Sequence, residues 1–206
     1  MGQRYSAVLL FGAPGAGKGT QGELLGRVPG YFHLSTGDMF RGMDRESELG
    51  RVFYEYSSKG ELVPDEITVD LWGKYTHALT VLNKYAPTRD LMILDGLPRT
   101  VTQVDLVRDR VDVQCVVHLV ASDREEMVAR LRGRALKQKR PDDAKEEVVR
   151  NRLEVYERET RPVLDRFDPS MIKEVDALGS PGEVLRGVLG VVTSVQESLF
   201  GNALKV

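Results

Sequence analysis

Gly12-Ala13-Pro14-Gly15-Ala16-Gly17-Lys18-Gly19-Thr20 is the stretch that decides how this chain folds. The apolar run Tyr5–Phe11 leads straight into it, and a helix is expected to follow. Strand, glycine-rich turn and helix, in that order, are the setting a phosphate-binding loop requires. Glycines let successive backbone N–H groups turn inward toward phosphate oxygens. The helix N-terminus adds its partial positive charge. Lys18 is placed to reach the β and γ phosphates of a nucleotide. The general pattern has Ser or Thr directly after the lysine, whereas here Gly19 intervenes and Thr20 follows. A chance glycine-rich turn is the alternative; the strand before it and the lysine within it argue against that.

Outward from the loop, apolar runs alternate with segments of helical periodicity. The runs are Tyr5–Phe11, Phe32–Ser35, Leu91–Asp95, Val113–Val120 and Met171–Val175. They are continuously apolar, as strands buried on both faces should be. The expected fold is therefore α/β: a five-stranded parallel sheet of the P-loop NTPase type with helices on both faces. Gly60 can stop a helix that begins near Ser47. Pro64 suits the first turn of the next helix. Ser122-Asp123-Arg124-Glu125 reads as a capping box. Leu185, Val188, Leu189, Val192, Val195 and Leu199 form a helical stripe expected to pack on the sheet. Two segments depart from a plain doubly wound domain: a mostly helical one from Gly37 to about Tyr85, and a very polar one from Arg134 to Asp143.

Composition narrows the function classes. With 206 residues the chain has room for one domain carrying inserted subdomains. A nucleic-acid binder usually shows a basic face, and the net charge of −2 does not favour one. Cys115 is the single cysteine, so no internal disulfide is possible and a reducing cytosol fits. The longest apolar run, Val113 to Ala121, is too short to span a bilayer and is broken by Gln114 and His118. Gly2 and Ser6 fit a loose myristoylation pattern, but a strand starting at Tyr5 leaves little tether, so a solvated lead-in is the reading adopted. His33, His77 and His118 are scattered and read as structural or solvated.

Leu91-Met92-Ile93-Leu94-Asp95 is the second chemical signal, a strand ending in a carboxylate. In P-loop enzymes such an Asp organises Mg²⁺. Gly96-Leu97-Pro98-Arg99 follows at the carboxyl end of that strand, where open α/β sheets bind ligands. Together with Ser35-Thr36-Gly37-Asp38-Met39-Phe40-Arg41, Gly60-Glu61-Leu62-Val63-Pro64-Asp65, Arg130-Leu131-Arg132-Gly133-Arg134, Arg140-Pro141-Asp142-Asp143, Arg152-Leu153-Glu154-Val155-Tyr156 and Val175-Asp176-Ala177-Leu178-Gly179, these motifs resemble the adenylate kinase family in order and over nearly the whole chain.

That resemblance implies a set of roles. Gly15, Ala16, Gly17, Lys18, Gly19 and Thr20 would cradle the ATP phosphates, with Arg134 above them and Gly179 beside the adenine. Thr36, Arg41, Glu61, Leu62, Val63, Gly96, Leu97, Pro98, Arg99 and Gln103 would line the AMP site, joined by Arg140 and Arg152. Lys18, Arg99, Arg134, Arg140, Arg152 and Asp95 would carry catalysis. Mg²⁺ would sit among phosphates and water near Thr20 and Asp95, with no zinc, because the short lid has no Cys or His cluster. The core would comprise about 1–36, 86–133 and 144–206, the AMP-binding insertion about 37–85 and the short lid about 134–143. The implied protein is a cytoplasmic monomer with ATP, AMP and ADP as its partners.

Phosphoryl transfer makes sense of so many cations, because positioning and charge stabilisation supply most of its rate. Arginine forks also fix phosphate orientation bidentately. Arg150 and Arg152 are both candidates for the last arginine. Two residues turn a helix by about 200°, so they face opposite ways. Arg152 is chosen because its spacing to Tyr156, Thr160 and Pro162 fits the pattern of the family that the chain resembles. A same-fold kinase of UMP or CMP is the near rival; such relatives tend to carry Ala at the Thr36 position and Asn at the Thr100 position, so both residues here favour AMP. A non-catalytic nucleotide sensor is the rival of another class, and loss of Lys18, Asp95 or an arginine would have supported it.

Overall fold

Five parallel strands run in the order β2-β3-β1-β4-β5, with the phosphate-loop strand in the middle. They are β1 (Tyr5–Phe11), β2 (Tyr31–Ser35), β3 (Leu91–Asp95), β4 (Val111–Val120) and β5 (Ile172–Asp176). The helices are α1 (Lys18–Leu25), α2 (Thr36–Arg41), α3 (Glu48–Ser57), α4 (Asp65–Val81), α5 (Val101–Val107), α6 (Arg124–Gln138), α7 (Glu146–Val155) and α8 (Pro181–Phe200). The structure is a computed structural model that describes residues 4–121, 123–138 and 145–201, without the side chains of 124, 134 and 136–138. The sheet matches the expected class. Two strand starts, at Tyr31 and Val111, fall before the expected residue, and β5 is displaced by one.

The continuous apolar runs are explained by burial on both faces. Ala7, Leu9 and Phe11 of β1, with Met92 and Leu94 of β3, enter one apolar cluster. Val8, Leu10, Leu91 and Ile93 enter a second one on the opposite face. Val184, Val188 and Val192 of α8 pack into that second cluster at i, i+4 and i+8. Full burial of such a side chain is worth about 1.5–3 kcal/mol. The stripe expected on α8 is thus rotated slightly: Val184 belongs to it, and Leu199 at its end is exposed. Ser180 and Glu183 form a capping box that starts this helix.

The helical insertion shares the first cluster rather than standing apart from it. Phe40 of α2 stacks on Phe53 of α3 at 5.2 Å. Trp72 of α4 is fully buried and meets Tyr5 edge-on at 6.1 Å. Ser47 caps α3, with its side chain accepting from the Gly50 amide. Pro64 is the N-cap of α4, one position earlier than expected.

Two expectations concern the later half. Asp123 accepts a hydrogen bond from the Glu126 amide at 3.0 Å at the start of α6; Ser122, the expected cap, lies outside the described residues. Helix α6 runs on through Arg134 to Gln138, so half of the polar stretch is helical. Residues 139–144, Arg140 among them, lie outside the described residues, as does the side chain of Arg134.

Candidate active site

Parallel register brings the chemistry to one edge of the sheet. Leu10 pairs with Asp95, and Ser35 pairs with Asp95 from the other side. The loop after β1, the start of α2 and the carboxylate of Asp95 therefore emerge together. The loop needs its glycines for space as well as conformation. At Gly12 φ is +140° and a Cβ would lie 2.6 Å from the Leu119 carbonyl oxygen. At Gly15 φ is +92° and a Cβ would lie 2.8 Å from the Met127 carbonyl oxygen. Both positions combine a backbone favouring glycine with a backbone neighbour that cannot move aside.

No side chain caps α1, whose N-cap is Gly17. The partial positive charge of this helix end is thus left facing the loop. Lys18 Nζ folds back along the same loop and donates to the carbonyls of Gly12 at 2.6 Å and Ala13 at 3.2 Å.

Asp95 is buried at the base of the site, 7% exposed. Burial alone would raise its carboxyl, but the His33 ring, Lys18 and Arg99 outweigh that and hold it below its ordinary value. His33 Nε2 lies 3.9 Å from Asp95 Oδ2, too far for a hydrogen bond, so the pairing is one of proximity. The ring is wedged over α1: a Cβ on Gly22 would fall 2.2 Å from His33 Nε2. His33 is therefore a partly buried neighbour of the site that sequence reasoning passed over, while His77 is exposed.

The opposite wall is built from the insertion and the turn after β3. Thr36 is buried and its hydroxyl donates to the Gly96 carbonyl at 2.9 Å. Arg99 Nε donates to the same carbonyl at 2.9 Å. Arg41 donates twice to Asp38 Oδ1, from Nη2 at 2.7 Å and from Nε at 3.3 Å. Gln103 is 1% exposed and held at both ends: its Oε1 accepts from the Arg99 amide at 2.6 Å, and its Nε2 donates to Asp65 Oδ1 at 2.8 Å.

These walls enclose one cavity of about 670 Å³, within the range of small-molecule sites. The loop from Gly15 to Thr20 lines it on one side. Thr36, Arg41, Glu61, Leu62, Val63, Gly96, Pro98, Arg99 and Gln103 line it on the other. Asp95, Arg152 and Gly179 complete it. Leu97 does not face it: at 2% exposure its side chain joins the apolar cluster under the sheet. The two candidate arginines differ in position. Arg152 lines the cavity and packs against the turn at Gly60, whose Cβ would lie 2.9 Å from Arg152 Cγ. Arg150 points away, bonded to Glu125 and Glu146. Arg130 was not assigned a role from its motif, yet it lines the cavity and donates to the Ala177 carbonyl at 2.8 Å, next to Gly179. Its i, i+4 pairing with Glu126 was readable from the sequence; the contact with Ala177, 47 residues away, was not.

Comparison with known proteins points the same way. A family model described as adenylate kinase matches residues 10–172. An adenylate kinase of Parabacteroides distasonis is 39% identical over 166 residues, 78% of this chain and 83% of its own length. An adenylate kinase of Kocuria rhizophila is 37% identical over 191 residues, 90% of this chain and 97% of its own length. One of Maricaulis maris is 40% identical over 188 residues, 88% of this chain and 95% of its own length. The fold, the paired walls of the cavity and these likenesses agree, and the chain belongs to the adenylate kinase family.

Proposed function

We propose that this chain is an ATP:AMP phosphotransferase that reversibly converts ATP and AMP into two ADP and so balances the adenine nucleotides. The observation that carries this reading is the single cavity with two dissimilar walls. A phosphate-binding loop with Lys18 forms one wall, and a half-apolar pocket guarded by Arg41 and Arg99 forms the other. Two polyanions held in line repel each other, and cations on both walls would offset that charge.

The proposed roles are these. Gly15 to Thr20 hold the ATP phosphates through backbone amides, and Lys18 exchanges its bonds to Gly12 and Ala13 for phosphate oxygens. Gly179 and Arg130 flank the ATP base. Thr36, Glu61, Leu62, Val63, Gly96, Pro98 and Gln103 hold AMP, with Arg41, Arg99 and Arg152 on its phosphate. The insertion 37–85 serves as the AMP-binding unit, and the polar segment 134–143 brings Arg134 and Arg140 over the transferring group, excluding water as a rival acceptor.

The donor set suits Mg²⁺ carried by phosphate and water. Asp95 is a buried carboxylate kept ionised, and Gly19 opens space beside it, with a Cβ there 3.8 Å from Asp95 Oδ2. Mg²⁺ bound there would screen the phosphate charges, and Asp95 with Thr20 would orient its water shell. Among the described residues no helix is long and apolar enough to cross a membrane. The reading includes a monomer acting in the cytosol; a buried free cysteine suits a reducing compartment.

A coupled assay of the purified protein with ATP and AMP, UMP, CMP or water as acceptor tests the proposal. AMP should be strongly preferred. Equal ATP consumption with all four would overturn it.

A further inference from the structure

Gln103 is held by two partners of opposite character. Asp65 Oδ1 is a carboxylate oxygen and can only accept; the Arg99 backbone amide can only donate. The Gln103 side chain answers each correctly, Nε2 to Asp65 at 2.8 Å and Oε1 to the Arg99 amide at 2.6 Å. Turning the amide by half a turn would set its NH₂ against an N–H and its oxygen against a carboxylate. The chemistry of the neighbours therefore fixes which end is which.

Asp65 does more than this. Its Oδ1 also accepts from the Thr100 hydroxyl at 3.0 Å, and that hydroxyl in turn accepts from the Gln103 amide as the N-cap of α5. Side chain and backbone of Gln103 are thus both referred to one carboxylate at the start of α4. Asp65 and Thr100 stand behind Gln103, which is the member of the trio that lines the cavity.

Each bond to Gln103 uses one of two Nε2 hydrogens and one of two Oε1 lone pairs. One hydrogen and one lone pair remain, in a fixed order. A 6-aminopurine presents an acceptor at N1 beside a donor at the amino group. A 6-oxopurine presents the reverse, a donor at N1 and an acceptor at O6. An amide free to rotate could serve either base; a locked one fits one of them.

We infer that Asp65, acting with the Arg99 backbone amide, is a positioning residue that locks the Gln103 amide and thereby makes the acceptor site select 6-aminopurine over 6-oxopurine monophosphates. This rests on the reading of that wall as the AMP site. It also gives Thr100, which does not face the cavity, a route to specificity.

The test compares kcat/KM for AMP and for inosine monophosphate, which differs from AMP only at this edge. Asp65→Leu, similar in size but unable to accept a hydrogen bond, should lower the AMP-to-inosine-monophosphate ratio by about tenfold or more, chiefly through KM for the acceptor, with KM for ATP unchanged. In a Gln103→Ala background the same substitution should leave the ratio where Gln103→Ala put it. If Asp65→Leu does not fold, Asp65→Ala removes the carboxylate at a helical position that tolerates alanine, and the same result is expected. An unchanged ratio in the folded variant overturns the inference. So does an equal fall in the presence and absence of Gln103, which would mean Asp65 acts by another route. A wild-type protein that phosphorylates neither acceptor overturns the AMP reading itself, and the lock with it.

Discussion

The Thr36 hydroxyl donates to the Gly96 carbonyl oxygen at 2.9 Å, tying the first residue of α2 to the turn that follows β3. The same carbonyl accepts from Arg99 Nε at 2.9 Å. One backbone oxygen thus sets the spacing between the two sides of the acceptor wall.

Thr36→Ala removes one of these two donors and leaves Gly96 still bonded to Arg99. The cost should be that of a single buried hydrogen bond, about 0.5–1.5 kcal/mol, without the larger penalty of an orphaned acceptor. Urea denaturation should show it. Because the hydroxyl organises the wall, discrimination of AMP against CMP should weaken as well. A variant as stable and as selective as wild type would remove Thr36 from this role.

Lys18→Ala deletes the cation that now caps Gly12 and Ala13 from within the loop. A charge aimed at a transferring phosphoryl group is typically worth about 10²–10³-fold in kcat. That loss is expected in steady-state assays, in a protein whose circular dichroism is unchanged. An undiminished kcat would place the transition-state charge elsewhere.

Arg152 and Arg150 form a matched pair for comparison, two residues apart on α7. Arg152→Ala should lower kcat severely, since its side chain reaches the cavity. Arg150→Ala should leave kcat within about twofold, because exposed ion pairs contribute little. Parallel kinetics on the two variants decide it, and the reverse ranking would move the phosphate contact to the other side of the helix.

Asp95 links stability to pH. Its folded carboxyl is held below the ordinary value, so its stabilising contribution is fully present above the unfolded pKa of about 3.9 and is lost as pH falls through the folded one. Asp95→Asn should therefore be less stable than wild type at pH 7, and the gap should close as the pH drops below about 4. Denaturation midpoints measured across that range without nucleotide provide the check; a gap that widens toward low pH would give the opposite sign.

Much of this was legible in the residues. β1 and β3 read correctly end to end because both faces are buried, and such strands are apolar throughout. β5 was harder: at the sheet edge it keeps Val175 inside while Lys173 and Glu174 face out. The loop and Asp95 were readable because local spacing carries their chemistry. The arrangement around Gln103 was not, because Asp65 lies 38 residues earlier and meets it only through the packing of α4 against α5. Leu97 was placed on the wall by its motif, yet the chain direction after β3 turns its side chain into the core. His33 looked isolated until Gly22 on α1 gave its ring a place next to Asp95.

The most direct measurement supplies ADP and Mg²⁺ alone and follows the mixture by phosphorus NMR. One ADP must then occupy the loop wall and another the acceptor wall, so turnover requires both halves of the cavity at once. The account predicts that ATP and AMP appear together in equal amounts, with no release of inorganic phosphate. Phosphate release without ATP, or no change in ADP, would contradict it.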